Sequence, residues 1–175
     1  MAHQHETDPA CAVAHGAAPA AVADRTLVAV FATPVAEFLL RYGADLGFRV
    51  ILVEPDPERA DAAGGTFTEV TTAPPAELDG TTDVVVTDHH RHELGTVLRD
   101  LLAHQVRWIG VMGNPRHPGP HVQALTELGV ADEEIARVHR PVGLNIGSRT
   151  PPEIAIATLA GLLADRNDRP GGFTF

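Results

Sequence analysis

Four short segments hold the side chains and backbone shapes that could do chemistry. Asp88-His89-His90-Arg91-His92-Glu93 gathers three histidines and two acids. If Asp88 caps a helix, His89, His92 and Glu93 share one face at i, i+3, i+4 and could hold a divalent metal. Asp at an N-cap is explained without a metal, however, and histidines at a cleft mouth are commonly plain hydrogen-bonding groups, so no metal site is assigned. His117 and His121 have i, i+4 spacing, but Pro118-Gly119-Pro120 between them is incompatible with a regular helix. Gly113-Asn114-Pro115-Arg116 offers Arg116 to an anion. In Pro141–Arg149, Gly143 and Gly147 bracket apolar residues around Asn145, with Ser148 next. Two readings stay open there: backbone N–H groups laid over a cleft, or a corner in which the glycines take positive φ.

Glu54 ends an apolar run, where an α/β nucleotide site would place its ribose-binding acid. The other reading is a solvent-facing acid ahead of Pro55. The phosphate half of such a site needs glycines at the first strand–helix turn, and here that turn reads Phe31-Ala32-Thr33-Pro34-Val35-Ala36-Glu37. Pro34 removes an N–H, Cβ atoms obstruct a pyrophosphate, and Glu37 adds negative charge in the first helical turn. Losing two charge-assisted hydrogen bonds, at about 1.5–3 kcal/mol each, turns a micromolar dinucleotide site into a millimolar one. NAD(P) binding is therefore not expected.

Nucleophilic catalysis has little to work with. Ser148 is the single serine, Cys11 the single cysteine, and all 13 basic residues are arginine, which removes lysine chemistry. No P-loop or paired zinc-ligand motif is present. No catalytic residue is assigned, and the chain is expected to work by binding rather than by turnover. Its formal charge of −10 opposes a nucleic-acid backbone.

The elements that must position these residues are legible. Thr26–Phe31, Arg49–Glu54, Asp83–Asp88 and Val106–Gly113 are short, β-branched and apolar on both faces, as parallel strands covered by helices are. Helical spacing fills Pro34–Leu46 and Leu94–His104, and helices are expected over His121–Leu128 and Asp132–Val138. A short strand is expected at Thr66–Val70, and an irregular stretch at Arg140–Arg149. The last helix starts with Thr150 as N-cap, Pro151 at its first position and Glu153 at N3, a capping box. Its body, Ile154–Leu163, is apolar nearly all round, which implies deep packing and a homodimer.

This alternation predicts an α/β fold: a Rossmann-like, doubly wound, mainly parallel sheet with helices on both faces, over residues 26–166. Residues 1–25, with His3, His5 and His15, are expected to be a disordered tail, and residues 167–175 a second tail. Neither a secretory leader nor a membrane span is visible, and one cysteine suits a reducing compartment, so the expected location is cytoplasmic.

Several of these segments also carry a resemblance. Trp108–Gly113, Glu127–Gly129, Ile135–His139 and Pro141–Ala155, with Gly47–Ala60 upstream, resemble the C-terminal Rossmann domain of the xanthine dehydrogenase accessory family (XdhC/CoxI type). The resemblance runs from about Leu27 to Ala164 and is most specific over Pro141–Ala155. It implies a maturation protein for a molybdenum hydroxylase of the xanthine or carbon monoxide dehydrogenase type, holding the molybdenum cofactor, a pterin with a phosphate, or engaging the client enzyme. Family members usually carry a further N-terminal domain. Four departures touch the ligand cleft: the glycine-free first turn, Gly113-Asn114-Pro115-Arg116 for a Gly-Ser-Arg-Arg type segment, Asn145 where the family has an aspartate, and an altered order of acid and histidine after the third long strand. Cofactor-binding residues implied or read are Glu54, Asp88, His89, Gly113, Asn114, Arg116, Gly143, Asn145, Gly147 and Ser148. Alternative functions are an NAD(P)-dependent oxidoreductase and a ligand-free dimeric interaction module with a degenerate nucleotide site.

Overall fold

The computed structural model describes residues 9–18, 24–67, 69–114 and 116–172. Six strands form one sheet: β1 (Thr26–Val30), β2 (Arg49–Val53), β3 (Val70–Thr71), β4 (Thr82–Val86), β5 (Trp108–Val111) and β6 (Val138–His139). The order is β3-β2-β1-β4-β5-β6, and every pair is parallel. The chain reverses its direction of travel across the sheet between β1 and β4, so a crevice opens beyond the C-terminal ends there. Continuous apolarity is explained by burial on both faces. Val28, Val30, Ile51, Val84 and Val86 pack against α4 (Leu94–Leu102) and α5 (Pro120–Glu127). The alternate residues Leu27, Ala29, Leu52 and Val85 pack against α2 (Pro34–Asp45) and α7 (Pro151–Arg166).

The helix starts follow the caps in the sequence. Thr33 Oγ1 accepts from Ala36 N, with Pro34 opening α2. Thr150, Pro151 and Glu153 form the expected capping box of α7. Three elements differ from expectation. Thr66 still belongs to the turn that closes α3 (Pro57–Ala63), a helix capped by Asp56, so the strand expected at Thr66–Val70 is Val70–Thr71 instead. The helix expected to reach Val138 stops at Ile135 as α6 (Asp132–Ile135), because β-branched Val138 pairs with Ile109 as edge strand β6. Within the expected N-terminal tail, Pro9–Ala14 forms a helix, α1, with no buried residue. Residues 1–8 and 19–23 of that stretch lie outside the described residues, as do residues 173–175 of the second tail. Among the described residues no helix is long and apolar enough to cross a membrane.

Candidate functional site

Two places along the C-terminal rim of the sheet matter for ligands. The first is the turn from β1 into α2. Phe31 there has φ 73°, the left-handed conformation that glycine adopts freely and a bulky residue adopts at a cost of about 1–2 kcal/mol. Its buried ring lies under the Arg91 guanidinium, 4.7 Å away. Glu54 reaches into the same turn and is completely buried. Its Oε2 accepts from Ala32 N at 2.8 Å and its Oε1 from Asp56 N at 3.1 Å. Arg91 donates to both oxygens, at 3.1 and 2.9 Å, and again to Glu93 at 3.1 and 2.7 Å. The solvent-facing position expected for Glu54 is thus overturned. Its partner Arg91 lies 37 residues on in the chain, too far for local sequence patterning to pair them. The Glu93 and Glu54 hydrogen bonds raise the Arg91 pKa, and Arg91 in turn holds the Glu93 carboxyl below the usual carboxylate range.

The second place is a cleft of about 920 Å³ over the ends of β4 and β5. Its first bank follows those strands, with Thr87, His89, Gly113, Asn114 and Arg116. The opposite bank is the segment before α7, with Gly143, Asn145, Gly147, Ser148 and Arg149. Eight of the ten residues singled out in the sequence therefore meet here, while Glu54 and Asp88 are not among the lining. Asp88 instead accepts from His90 N at 2.9 Å in a tight turn. Because α4 starts only at Leu94, that turn is not helical, and His89, His92 and Glu93 do not share a helix face. Among the described residues no group of three or more His, Cys, Asp or Glu is placed to hold a metal.

Each bank is fixed from beneath. Thr33 Oγ1 donates to Thr87 Oγ1 at 2.9 Å, and Thr87 donates on to Val30 O, tying the ends of β1 and β4 together. The Arg140 guanidinium donates to the carbonyls of Asn114 and His117 at 3.0 and 3.1 Å, bolting down the loop after β5. A Cβ at Gly113 would meet Arg140 Nη2 at 2.6 Å, so only glycine lets the guanidinium lie so close. Gly143, at φ 85°, packs on the α7 backbone, where a Cβ would come 3.0 Å from Ala157 O, and Leu144 N donates to that carbonyl. The corner reading of this segment holds at Gly143 and at Gly147, whose φ is 70°. The N–H groups of Asn145, Gly147 and Ser148 are left without a hydrogen-bond partner among the described residues, as the other reading required.

The cleft's charge is unlike the rest of the chain. Among the described residues no Asp or Glu lines it, although the chain carries a formal charge of −10. Most arginines are committed to carboxylates, carbonyls or aromatic rings. Arg59, Arg116, Arg149 and Arg169 have no such partner for their guanidinium among the described residues, and two of these stand in the cleft. Arg149 was not singled out in the sequence; its only mark was its place at the end of the Pro141–Arg149 segment. The nearest carboxylate along the chain, Glu153, is occupied by the α7 cap, accepting from Arg149 N at 2.8 Å and Thr150 N at 3.1 Å. The helix end itself therefore offers nothing to an anion, and that task falls to the side chains and free N–H groups. His89 is held below the usual imidazole range, chiefly by burial and then by His90 and Arg140, so it is neutral at physiological pH.

Comparison with known proteins places this geometry in a family. The chain matches the XdhC Rossmann domain over residues 27–162. It is 45% identical over 75 residues to YqeB of Escherichia coli K12, covering 43% of this chain and 14% of that one. A crystal structure described as a xanthine dehydrogenase from Bacillus halodurans superposes with a TM-score of 0.65 at 22% identity, over 83% of this chain and 45% of that chain. That likeness concerns the fold, and the chain spans less than half of either relative. With the family's domain matched from β1 into α7, the chain belongs to the XdhC Rossmann-domain family, which is linked to the maturation of xanthine dehydrogenase.

Proposed function

We propose that this protein assists maturation of a molybdenum hydroxylase by holding an anionic cofactor in the cleft between Gly113–Arg116 and Gly143–Arg149, without chemical turnover. One observation carries the reading: in an acidic chain, a cleft of about 920 Å³ holds two arginines that are unpaired, and no carboxylate, among the described residues. These residues fit molybdenum cofactor in its phosphate end, for which Arg116, Arg149 and the Asn145–Ser148 N–H groups are suitable donors. Asn145 is neutral, which lessens repulsion of an anion. The cofactor would supply redox chemistry only once seated in the client; this chain binds, orients and shields it.

The test is retention of molybdenum cofactor by the wild type against Arg116→Ala and Asn145→Asp. Both substitutions should lower the retained cofactor, read by fluorescence of the oxidised pterin. Unchanged retention by folded variants would sink the cofactor-holding role. It would favour a second reading, a dimeric interaction module, for which exposed Leu46 and Ile156 between α2 and α7 speak. On that reading light scattering finds a dimer at micromolar concentration.

An NAD(P)-dependent oxidoreductase is disfavoured by the first turn, whose Ala32 N–H is already taken by Glu54. Calorimetric titration of NAD, NADP and FAD is expected to give dissociation constants weaker than about 10 μM, roughly −7 kcal/mol. Tighter binding would restore the oxidoreductase.

A further inference from the structure

The unpaired Arg149 narrows what the cleft can receive. Arg116 comes from the loop after β5 and Arg149 from the segment before α7, so the two guanidiniums belong to opposite banks. Both are exposed. Beside polar Thr87, His89 and Thr158 the same cleft is lined by apolar Val35, Met112, Ile154 and Ala157. Paired arginines suit an anion with several oxygens, since each planar guanidinium donates bidentately and a phosphate monoester carries two charges near neutrality. The volume, about 920 Å³, suits a body of drug-like size beside that anion. Toward the β1–α2 turn the Ala32 N–H is taken by Glu54 and Pro34 has none, so a second phosphate would meet fewer donors there than a glycine-rich turn supplies.

We infer that Arg149 and Arg116 form a two-arginine clamp for a single phosphate monoester, with the uncharged body of the ligand lying against the apolar side chains of the lining. This rests on the proposed cofactor-holding role in placing the ligand in this cleft. It goes further in setting both arginines on one anion and in naming a single monoester group as the recognised charge.

The experiment uses a purine nucleoside 5′-monophosphate as probe, beside the parent nucleoside and inorganic phosphate, titrated into the full chain by calorimetry. Wild type should bind the monophosphate more tightly than either fragment, and binding should weaken with salt. Arg149→Ala and Arg116→Ala should each weaken it about 10-fold or more, the loss expected of a charge-assisted hydrogen-bonding pair. Arg59→Ala, which removes an equally unpaired arginine outside the cleft, should change nothing. The clamp is overturned if folded Arg149→Ala binds as wild type does, if wild type binds none of the probes, or if phosphate alone binds as tightly as the monoester. Retention of molybdenum cofactor is scored separately. Wild type that binds the monophosphate but keeps no cofactor sinks the maturation reading and leaves the clamp standing; the opposite pattern sinks the clamp alone.

Discussion

Arg91 and Arg149 stand above the C-terminal rim of the same sheet, and they have opposite fates. Arg91 is nearly buried, lies over Phe31 and is divided between Glu54 and Glu93. Arg149 is exposed, with no partner for its guanidinium among the described residues. Both occupy ground where α/β proteins place ligands. At the β1–α2 turn the chain supplies its own anion, the Glu54 carboxylate, tethered and therefore present at high effective concentration. A dissolved phosphate competing for Ala32 N would have to displace an ion pair already desolvated and hydrogen-bonded on every side. At the other end of the rim no carboxylate reaches the arginines. Whether a rim position is open depends less on its cation than on whether an acid elsewhere in the chain can reach it.

The largest expected effect comes from breaking the filled end. Glu54→Ala strips both carboxylate bonds from Arg91 and leaves Ala32 N and Asp56 N without their acceptor. Removing one partner of a buried pair costs about 3–5 kcal/mol; Arg91 keeps Glu93, so much of the loss comes from the two backbone N–H groups left without an acceptor. Urea melts should show that loss, whereas Arg149→Ala should fall within about 0.5 kcal/mol of wild type. Equal losses for the two variants would erase the distinction between a filled and an open rim.

A middle-sized effect sharpens the description of the open end. Gly143 and Gly147 both have positive φ, 85° and 70°, but only Gly143 abuts the backbone of α7. A Cβ at Gly147 meets nothing within 4 Å. Gly147→Ala should therefore cost only the conformational penalty, about 1 kcal/mol, while Gly143→Ala adds a backbone clash and should cost about 2–3 kcal/mol. Thermal melts separate them. If the two variants melt together, Gly143 is not wedged against α7, and the near bank of the cleft is looser than drawn.

These comparisons also show where reading a sequence stops. The strands were legible because burial on both faces leaves unbroken apolar runs, and α2 and α7 were legible because Thr33-Pro34 and Thr150-Pro151 write their own starts. Eight cleft residues were found from rim position and glycine placement. Glu54 was misread because its burial is decided by Arg91, far along the chain. Whether Asp88 caps a helix was left open in the sequence because Asp88 hydrogen-bonds its own turn, a use of the side chain that looks the same in sequence as an N-cap. Edge strand β6 was missed because its two residues are too few to show a period. Arg149 stayed in the background because being unpaired is a property of the whole fold.

The smallest effect concerns pH and separates the cleft's supports from the filled end. His121 is buried in α5, its Nδ1 has no hydrogen-bond partner, and burial together with Arg140 pushes its pKa down. His89 is pushed down as well, by burial first and then by His90 and Arg140, against a smaller opposing pull from Asp88. Both histidines therefore bind a proton more readily in the unfolded chain, where the imidazole pKa is about 6.5. Stability is then complete above about pH 6.5 and falls as pH drops below it, by at most about 1.4 kcal/mol per pH unit for each group. Glu93 is also depressed, by Arg91, but its unfolded pKa is near 4.5, so its contribution is intact above that value and lost only below it. Between pH 6.5 and 5 these two histidines contribute; under pH 4.5 Glu93 follows, together with other depressed carboxylates such as Glu153 of the α7 cap. His121→Leu removes one titrating group from the upper window and should flatten the decline there while leaving the acid limb as it was. Urea midpoints measured from pH 7.5 to 3.5 test this. An upper window as steep in the variant as in wild type would mean that His121 keeps its ordinary pKa, and that Arg140 bolts the Asn114–His117 loop without pressing on the imidazole beside it.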